Sequence, residues 1–550
     1  MRVPLLLLLA LCPALAHAHG ERLLVNASIH TLDPDAPKAE ALAWGSDGRI
    51  VAIGSRAELE RAYADAERID ARGRTVVPGL IDAHAHLLGL GLALMRADLV
   101  GAGSKLEVME RLKQFARELP PGAWLLGGGW DQNDWAEKEF PSAAELDAAF
   151  PDRPVWLERV DGHAGWANSV AMARAGRDLA GDWQPDGGRI LRDADGKATG
   201  IFVDGAMALI NAAVPATDEA TTTLALQRAM AEAVKYGLTG VHDAGVSLEQ
   251  LALYRQLADA GKLPLRVYAM ADGDAEALTA LCAMGAYAHP GGRLAMRAVK
   301  LYADGALGSR GAALLADYSD EPGHRGLLTT EPEALRRAVA KAHRCGVQVA
   351  THAIGDRGNR LVLDAYADAL GEDASQDHRW RIEHAQVVAL EDIPRFAALG
   401  VIASMQPTHA TSDMPWAEER VGAERVAGAY AWQRFLAAGA RLALGSDFPV
   451  EHVDPMLGLY SAVTRQDRAG RPPGGWMPEQ RLSAAQALRG FTLDAAHAGF
   501  AEQDLGSLQV GKRADFVLLD RDPLAIDAAA LDEVRVLATY VDGAPVYTAQ

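Results

Sequence analysis

The stretch GLIDAHAHLLGLG, residues 79–91, decides how this chain reads. It places His84 and His86 one residue apart at the end of an apolar run. On a strand, residues i and i+2 leave the same face, so the two imidazoles emerge side by side. Adjacent imidazoles fill an apolar core poorly and hold a cation well.

Seven further apolar runs follow the first, VVPGLIDAHAH. They are GLTGVHDAG, LPLRVYAMA, RAVKLYADG, VQVATHAIG, WRIEHAQ, VIASMQP and LALGSDFPV. Stretches with helical spacing follow them, such as PEALRRAVAKAHRCG and WQRFLAAGA. Strand–helix alternation repeated eight times predicts an α/β fold, a (β/α)8 TIM-like barrel. One spacing is irregular: about 145 residues separate the first run from the second, too many for a simple connection. This insertion, at about 90–235, carries GGWDQNDW and VDGHAGWANS and is expected to lie over the barrel mouth.

Active sites of such barrels sit at the C-terminal ends of the strands. Here those ends carry His84 and His86 on the first strand, Lys300 on the fourth, His352 on the fifth, His384 on the sixth and Asp447 on the eighth. One polar residue at a buried position reads equally well as a satisfied core residue. Six on five strand ends read as a metal site, because buried charge is costly unless paired or metal-bound. Imidazole and carboxylate donors suit zinc, with iron and manganese also fitting. No GxSxG elbow, GxxxxGK[ST] loop or cysteine at a strand end competes with this reading.

The constellation resembles the amidohydrolase superfamily of metal-dependent hydrolases, over nearly the whole chain beyond the leader. Within it, GHAGWANS, KLYADGALGSR, HAIGDRGN and GSDFPV are similar to amidohydrolase family 3, which includes N-substituted formamide deformylases. The resemblance implies that His84 and His86 hold one metal, His352 and His384 a second, and that Asp447 ligates metal and serves as general base. It implies a carboxylated Lys300 bridging two metals, probed against the plain reading of a lysine beside Asp304. It also implies hydrolysis of a non-peptide C–N bond, of an amide or N-substituted formamide, in a small-molecule substrate, and it allows a homodimer. The same site would serve an ester, lactone or phosphoester, and a non-catalytic ligand-binding barrel stands as a third reading.

Candidate substrate contacts are Trp130 and Asp131 in GGWDQND, His163 and Trp166 in GHAGWAN, Arg310 in GALGSRG and His409 in MQPTHA. Each also reads as an ordinary packing, turn or surface residue. His242 in GVHDAG reads as a core or supporting histidine.

A net charge of −19 argues against a nucleic-acid partner. Residues 1–18 read as a cleavable signal peptide ending in Ala16-His17-Ala18, which predicts a periplasmic or secreted protein. Their apolar run is too short to span a bilayer, so no stable membrane insertion is expected. Without the leader only Cys282 and Cys345 remain, free or paired. Strand-and-turn patterns at both ends predict a small β-sandwich built from residues 19–76 and 490–550, with the barrel at 77–489 set into it.

Overall fold

The computed structural model describes residues 21–120 and 122–549; the expected leader lies outside the described residues. Eight parallel strands form the central sheet: β1 (Leu80–Ala85), β2 (Leu238–Val246), β3 (Arg266–Asp272), β4 (Leu294–Tyr302), β5 (Gln348–Ala353), β6 (Arg381–His384), β7 (Ile402–Met405) and β8 (Leu442–Leu444). They neighbour one another in chain order. The eight apolar runs are these eight strands. Parallel strands covered on both faces are buried throughout, which is why they read as continuous apolar stretches rather than alternating ones.

Outer helices cover the sheet with narrow apolar stripes. Helix Pro332–Arg344 starts with proline at its first position and buries Leu335, Val339 and Ala342, spaced i, i+4, i+7. Inside the barrel, Ala244, Tyr268, Met270, Ala298 and Ala350 form one apolar layer. Lys300 and Tyr302 share the inward face of β4 with Ala298 by the two-residue period of a strand.

The seam between β8 and β1 closes just past the strand ends. The Asp447 N–H donates to the His84 carbonyl at 2.8 Å, and the His86 N–H donates to the Phe448 carbonyl at 2.9 Å. Buried Asp82 reinforces this, accepting from the Ser446 hydroxyl at 2.6 Å and from the His84 N–H at 3.0 Å.

Residues between β1 and β2 build a lobe of their own. Its six-stranded sheet includes Leu125–Trp130, Val155–Arg159, Ala164–Ala167 and Ala198–Asp204. Helix Glu219–Lys235, at the end of the expected insertion, packs instead on Leu87–Ala93 and contributes to the barrel core. The two chain ends meet in a sandwich: strand Phe516–Leu519 pairs with Thr75–Pro78, and Trp44 of the facing sheet packs edge-on against Phe516 at 5.5 Å. The TIM-like barrel with a terminal β-sandwich is therefore the fold observed. Among the described residues no helix is long and apolar enough to cross a membrane.

Cys282 and Cys345 are disulfide-bonded across 63 residues, joining helix Ala275–Met284 to the end of helix Pro332–Arg344. Closing a loop of that length restricts the unfolded chain. The Cys282→Ser/Cys345→Ser double variant is expected to lose about 2–4 kcal/mol in urea unfolding, with its metal content unchanged; equal stability would show that the bridge constrains nothing.

Candidate metal centre

Five histidines and one aspartate converge at the C-terminal mouth. The ring of His84 lies 5.4 Å from that of His86 and 4.9 Å from that of His384; His352 is 4.6 Å and His409 5.8 Å from His384. Asp447 is the shared partner. Its Oδ1 is 3.1 Å from His86 Nε2 and 3.4 Å from His84 Nε2; its Oδ2 is 3.6 Å from His409 Nε2 and 3.9 Å from His384 Nδ1. Backbone conformation helps to aim these groups. His384 and Asp447 have φ of +73° and +65°, a left-handed region costly for side-chain-bearing residues and found at functional sites.

A hydrogen bond at one nitrogen of each ring sets which nitrogen is left. His84 Nδ1 meets Glu383 Oε2 at 2.5 Å, His86 Nδ1 meets the Ala244 carbonyl at 3.0 Å, and His384 Nδ1 meets Gln406 Oε1 at 2.8 Å. All three therefore keep Nε2 for another partner. Beneath them Arg381 grips Glu383 through two hydrogen bonds, at 2.7 and 2.8 Å, and reaches the Ala83 carbonyl and Ser404 hydroxyl.

Burial pushes His84 down to about 4 despite Glu383, and holds His352 and His384 well below the usual histidine range. It lowers His409 as well. Burial opposes ionisation of Asp447, but the close approach of His86 and the surrounding His84 and His384 rings hold it well below the usual carboxylate range. Glu383 behaves likewise: burial works against its charge, and Arg381 and His84 outweigh it. Neutral rings beside ionised carboxylates are the state that binds a metal.

The donor set fits a divalent cation. His84, His86 and Asp447 present ligand atoms within 4.8 Å of one another, and so do His384, His409 and Asp447. His84 Nε2, His409 Nε2 and Asp447 Oδ1 are buried without a hydrogen-bond partner. Such orphaned atoms require an explanation, and a shared cation supplies one.

The remaining sequence-derived residues fall in different places. His352 is buried beside His384, but its Nε2 faces the Gly305 carbonyl at 3.4 Å, and His409 rather than His352 completes the second trio around Asp447. Lys300 is buried, with Nζ 4.0 Å from the centre of the Tyr302 ring and outside both trios. His163 enters from the inserted lobe, its ring 5.3 Å from that of His352. Burial opposes its charge, yet its bond to Asp204 raises it to about 9. His242 bonds Arg381 from below, at 2.8 Å.

Four expected substrate contacts are placed otherwise. Trp130 and Trp166 are fully buried in the core of the inserted lobe, their indole N–H groups given to the Leu157 and Ser142 carbonyls. The lobe has its own hydrophobic core, and large aromatics fill it. Arg310 pairs with Asp320 at 3.0 Å and turns toward Glu321. Asp131 pairs with buried Arg159, which also meets Asp161 at 2.5 Å. The sequence reading missed Asp82, Arg381, Glu383, Gln406 and Asp204. The signal for Arg381 and Glu383 was a charged pair inside the apolar run WRIEHAQ.

A parallel barrel whose mouth gathers histidines around one carboxylate defines a metal-dependent hydrolase. The chain belongs to the amidohydrolase family, whose model matches residues 67–547. It is 36% identical to Protein LONG AFTER FAR-RED 3 of Arabidopsis thaliana, over 96% of this chain and 92% of that protein. It is 32% identical to the N-substituted formamide deformylase of Arthrobacter pascens, over 95% of this chain and 97% of that enzyme. Among solved structures, a metal-dependent hydrolase from Pyrococcus horikoshii superposes with a TM-score of 0.75 at 30% identity, covering 92% of this chain and 99% of that one.

Replacing Glu383 by glutamine should leave the barrel folded while weakening metal binding by about 10–100-fold, read by competition with a chelator. Glu383→Ala, which strands the Arg381 charge, should cost a further 3–5 kcal/mol, roughly, in unfolding free energy. Unchanged affinity in both variants would remove Glu383 from the centre.

Proposed function

We propose that this chain hydrolyses a non-peptide C–N bond, in an amide or N-substituted formamide, at a divalent-metal centre. The observation that carries the reading is Asp447: one ionised carboxylate shared by two histidine pairs at the barrel mouth. The formamide deformylase relative supports the bond type. His84, His86 and Asp447 would hold one ion, and His384 with His409 or His352 a second. Zinc suits these donors. A bound ion supplies Lewis acidity, lowering the pKa of water toward about 7 and polarising a carbonyl.

The chain's own groups then manage the proton. Asp447 takes it from the attacking water as the new C–O bond forms. As the C–N bond breaks, Asp447 returns it to the leaving nitrogen, releasing a carboxylic acid and an amine. Glu383 keeps His84 in the tautomer that leaves Nε2 available. We propose a carbamate on Lys300, a reading supported by the burial of this residue at the end of the fourth strand, with its Nζ over the Tyr302 ring. A carbamate is an anion, where an ammonium would repel the ions. We further propose export, which the leader and the disulfide support, since such bonds persist in oxidising compartments.

The test combines metal content by mass spectrometry with turnover before and after chelation. The panel holds N-formyl and N-acetyl amines, esters, lactones and phosphoesters. Metal-dependent release of amine from the acylated amines is expected. Turnover confined to esters, lactones or phosphoesters would overturn the C–N assignment. Asp447→Asn is expected to lower kcat by about 10²–10⁴-fold and to bind less metal; wild-type rates in that variant would exclude Asp447 as the base.

A further inference from the structure

We propose that Arg465, Trp432 and Arg481 form a buried anion site, apart from the metal centre, that takes chloride. The site is independent of the reaction assigned to that centre.

Arg465 is fully buried just past helix Pro455–Thr464, in the left-handed region at φ of +53°. A residue with a side chain holds that conformation at a cost. Its guanidinium packs on two indoles, 4.5 Å from the centre of the Trp432 ring and 5.0 Å from that of Trp476. Nε donates to the Trp476 carbonyl at 2.6 Å and Nη1 to the Tyr430 carbonyl at 2.9 Å. Both acceptors are neutral. The carboxylate that acts on Arg465 is that of Glu479, which is itself exposed. Burial lowers Arg465 to about 10, and the like charge of Arg481 acts in the same direction. The group is still a cation at neutral pH.

Three donors of this region are buried without a hydrogen-bond partner among the described residues: Arg465 Nη2, Trp432 Nε1 and Arg481 Nε. Trp432 is fully buried, and its N–H belongs to the ring on which Arg465 packs. Gly475, at φ of +82°, lets Arg481 approach. A β-carbon there would come 2.8 Å from Arg481 Nη2 and would strike the Thr464 carbonyl, so only glycine fits. The main chain holds the same groups together. The Trp476 N–H donates to the Arg465 carbonyl at 2.8 Å, and Gln433, next to Trp432, donates to the Arg481 carbonyl at 2.6 Å.

All three orphaned atoms are donors, and two of them belong to cations. Buried donors require an acceptor and buried charge requires a counter-charge. One anion supplies both, whereas a water molecule brings no charge. A carboxylate or phosphate is matched by the paired N–H groups of a guanidinium fork. Arg465 already gives Nε and Nη1 to carbonyls, so each side chain offers one nitrogen. Single donors from three side chains suit a spherical acceptor, and full burial between indoles suits a small one. Chloride meets both conditions. Its seat lies behind the barrel mouth: the hydroxyl of Tyr430, whose carbonyl holds Arg465, donates to Asp413 and accepts from Gln386, two residues past His384.

Two measurements on the metal-loaded protein supply the test. Anomalous diffraction from crystals transferred into sodium bromide should place a bromide on the N–H groups of Arg465 and Trp432. After dialysis into gluconate, chloride added at constant ionic strength should raise the Tm of the unaltered protein. Trp432→Phe keeps the ring and removes the N–H. It should need about 10-fold more chloride for the same shift, the loss of one hydrogen bond to a charged group. Bromide seated on the surface alone, an adventitious ion only, overturns the proposal. So does a Tm indifferent to chloride, or a chloride response that Trp432→Phe leaves unchanged. The diffraction arm uses the unaltered chain and decides the matter even if the variant fails to fold.

Discussion

The centre of the barrel holds a fully buried guanidinium, Arg381. Taking that charge out of water is costly unless its donors are filled. Here they are distributed over the barrel: Glu383 on β6 itself, the Ala83 carbonyl on β1, Ser404 on β7 and His242 on β2. One side chain thus braces four strands just below the mouth. Because Arg381 keeps Glu383 ionised, Glu383 can fix His84, and the metal centre inherits its geometry from an ion pair that never meets substrate.

Above that pair the electrostatics change. Burial, aided by neighbouring positive groups, strips the His84, His352 and His384 rings of charge, while Asp447, set among them, stays anionic. The protein therefore presents neutral nitrogens of His84, His352 and His384 near the ionised carboxylates of Asp447 and Glu383, instead of a set of mutually repelling cations. The left-handed backbone at His384 and Asp447 is a local cost that buys this convergence, because it turns side chains inward just where their strands end.

The barrel was legible because parallel strands buried on both faces leave unbroken apolar runs, and the ligands because a polar residue ending such a run has few innocent explanations. What lay beyond reach was direction. His352 stands near the end of β5 and His409 in the helix Pro407–Asp413 that follows β7, and only the folded backbone shows which one faces Asp447. Arg381 and Glu383 sit two residues apart in the same run as His384 and carried their own signal, overlooked beside the histidine. Trp130 and Trp166 misled because a stretch rich in glycine and polar residues resembles a loop, whereas it builds a sheet with an aromatic core. Asp204 gave no sign at all, since its partner is 41 residues away and its neighbours across the interface are glycines.

The seam that closes the barrel is made by the same residues that gather the ligands. Asp82 and Ser446 meet across 364 positions of sequence, and the backbone of Asp447 bonds that of His84. Two ligands, His84 and His86, stand at the end of the first strand, and the shared carboxylate in the turn after the last. A nascent or truncated chain owns these side chains without owning a site, because the first and last strands must find each other before Asp447 stands beside His84. Such long-range closure is slow relative to local folding. Metal capture is thereby reserved for chains that have completed the circle, which makes the bound ion a seal on finished molecules and not a scaffold for unfinished ones.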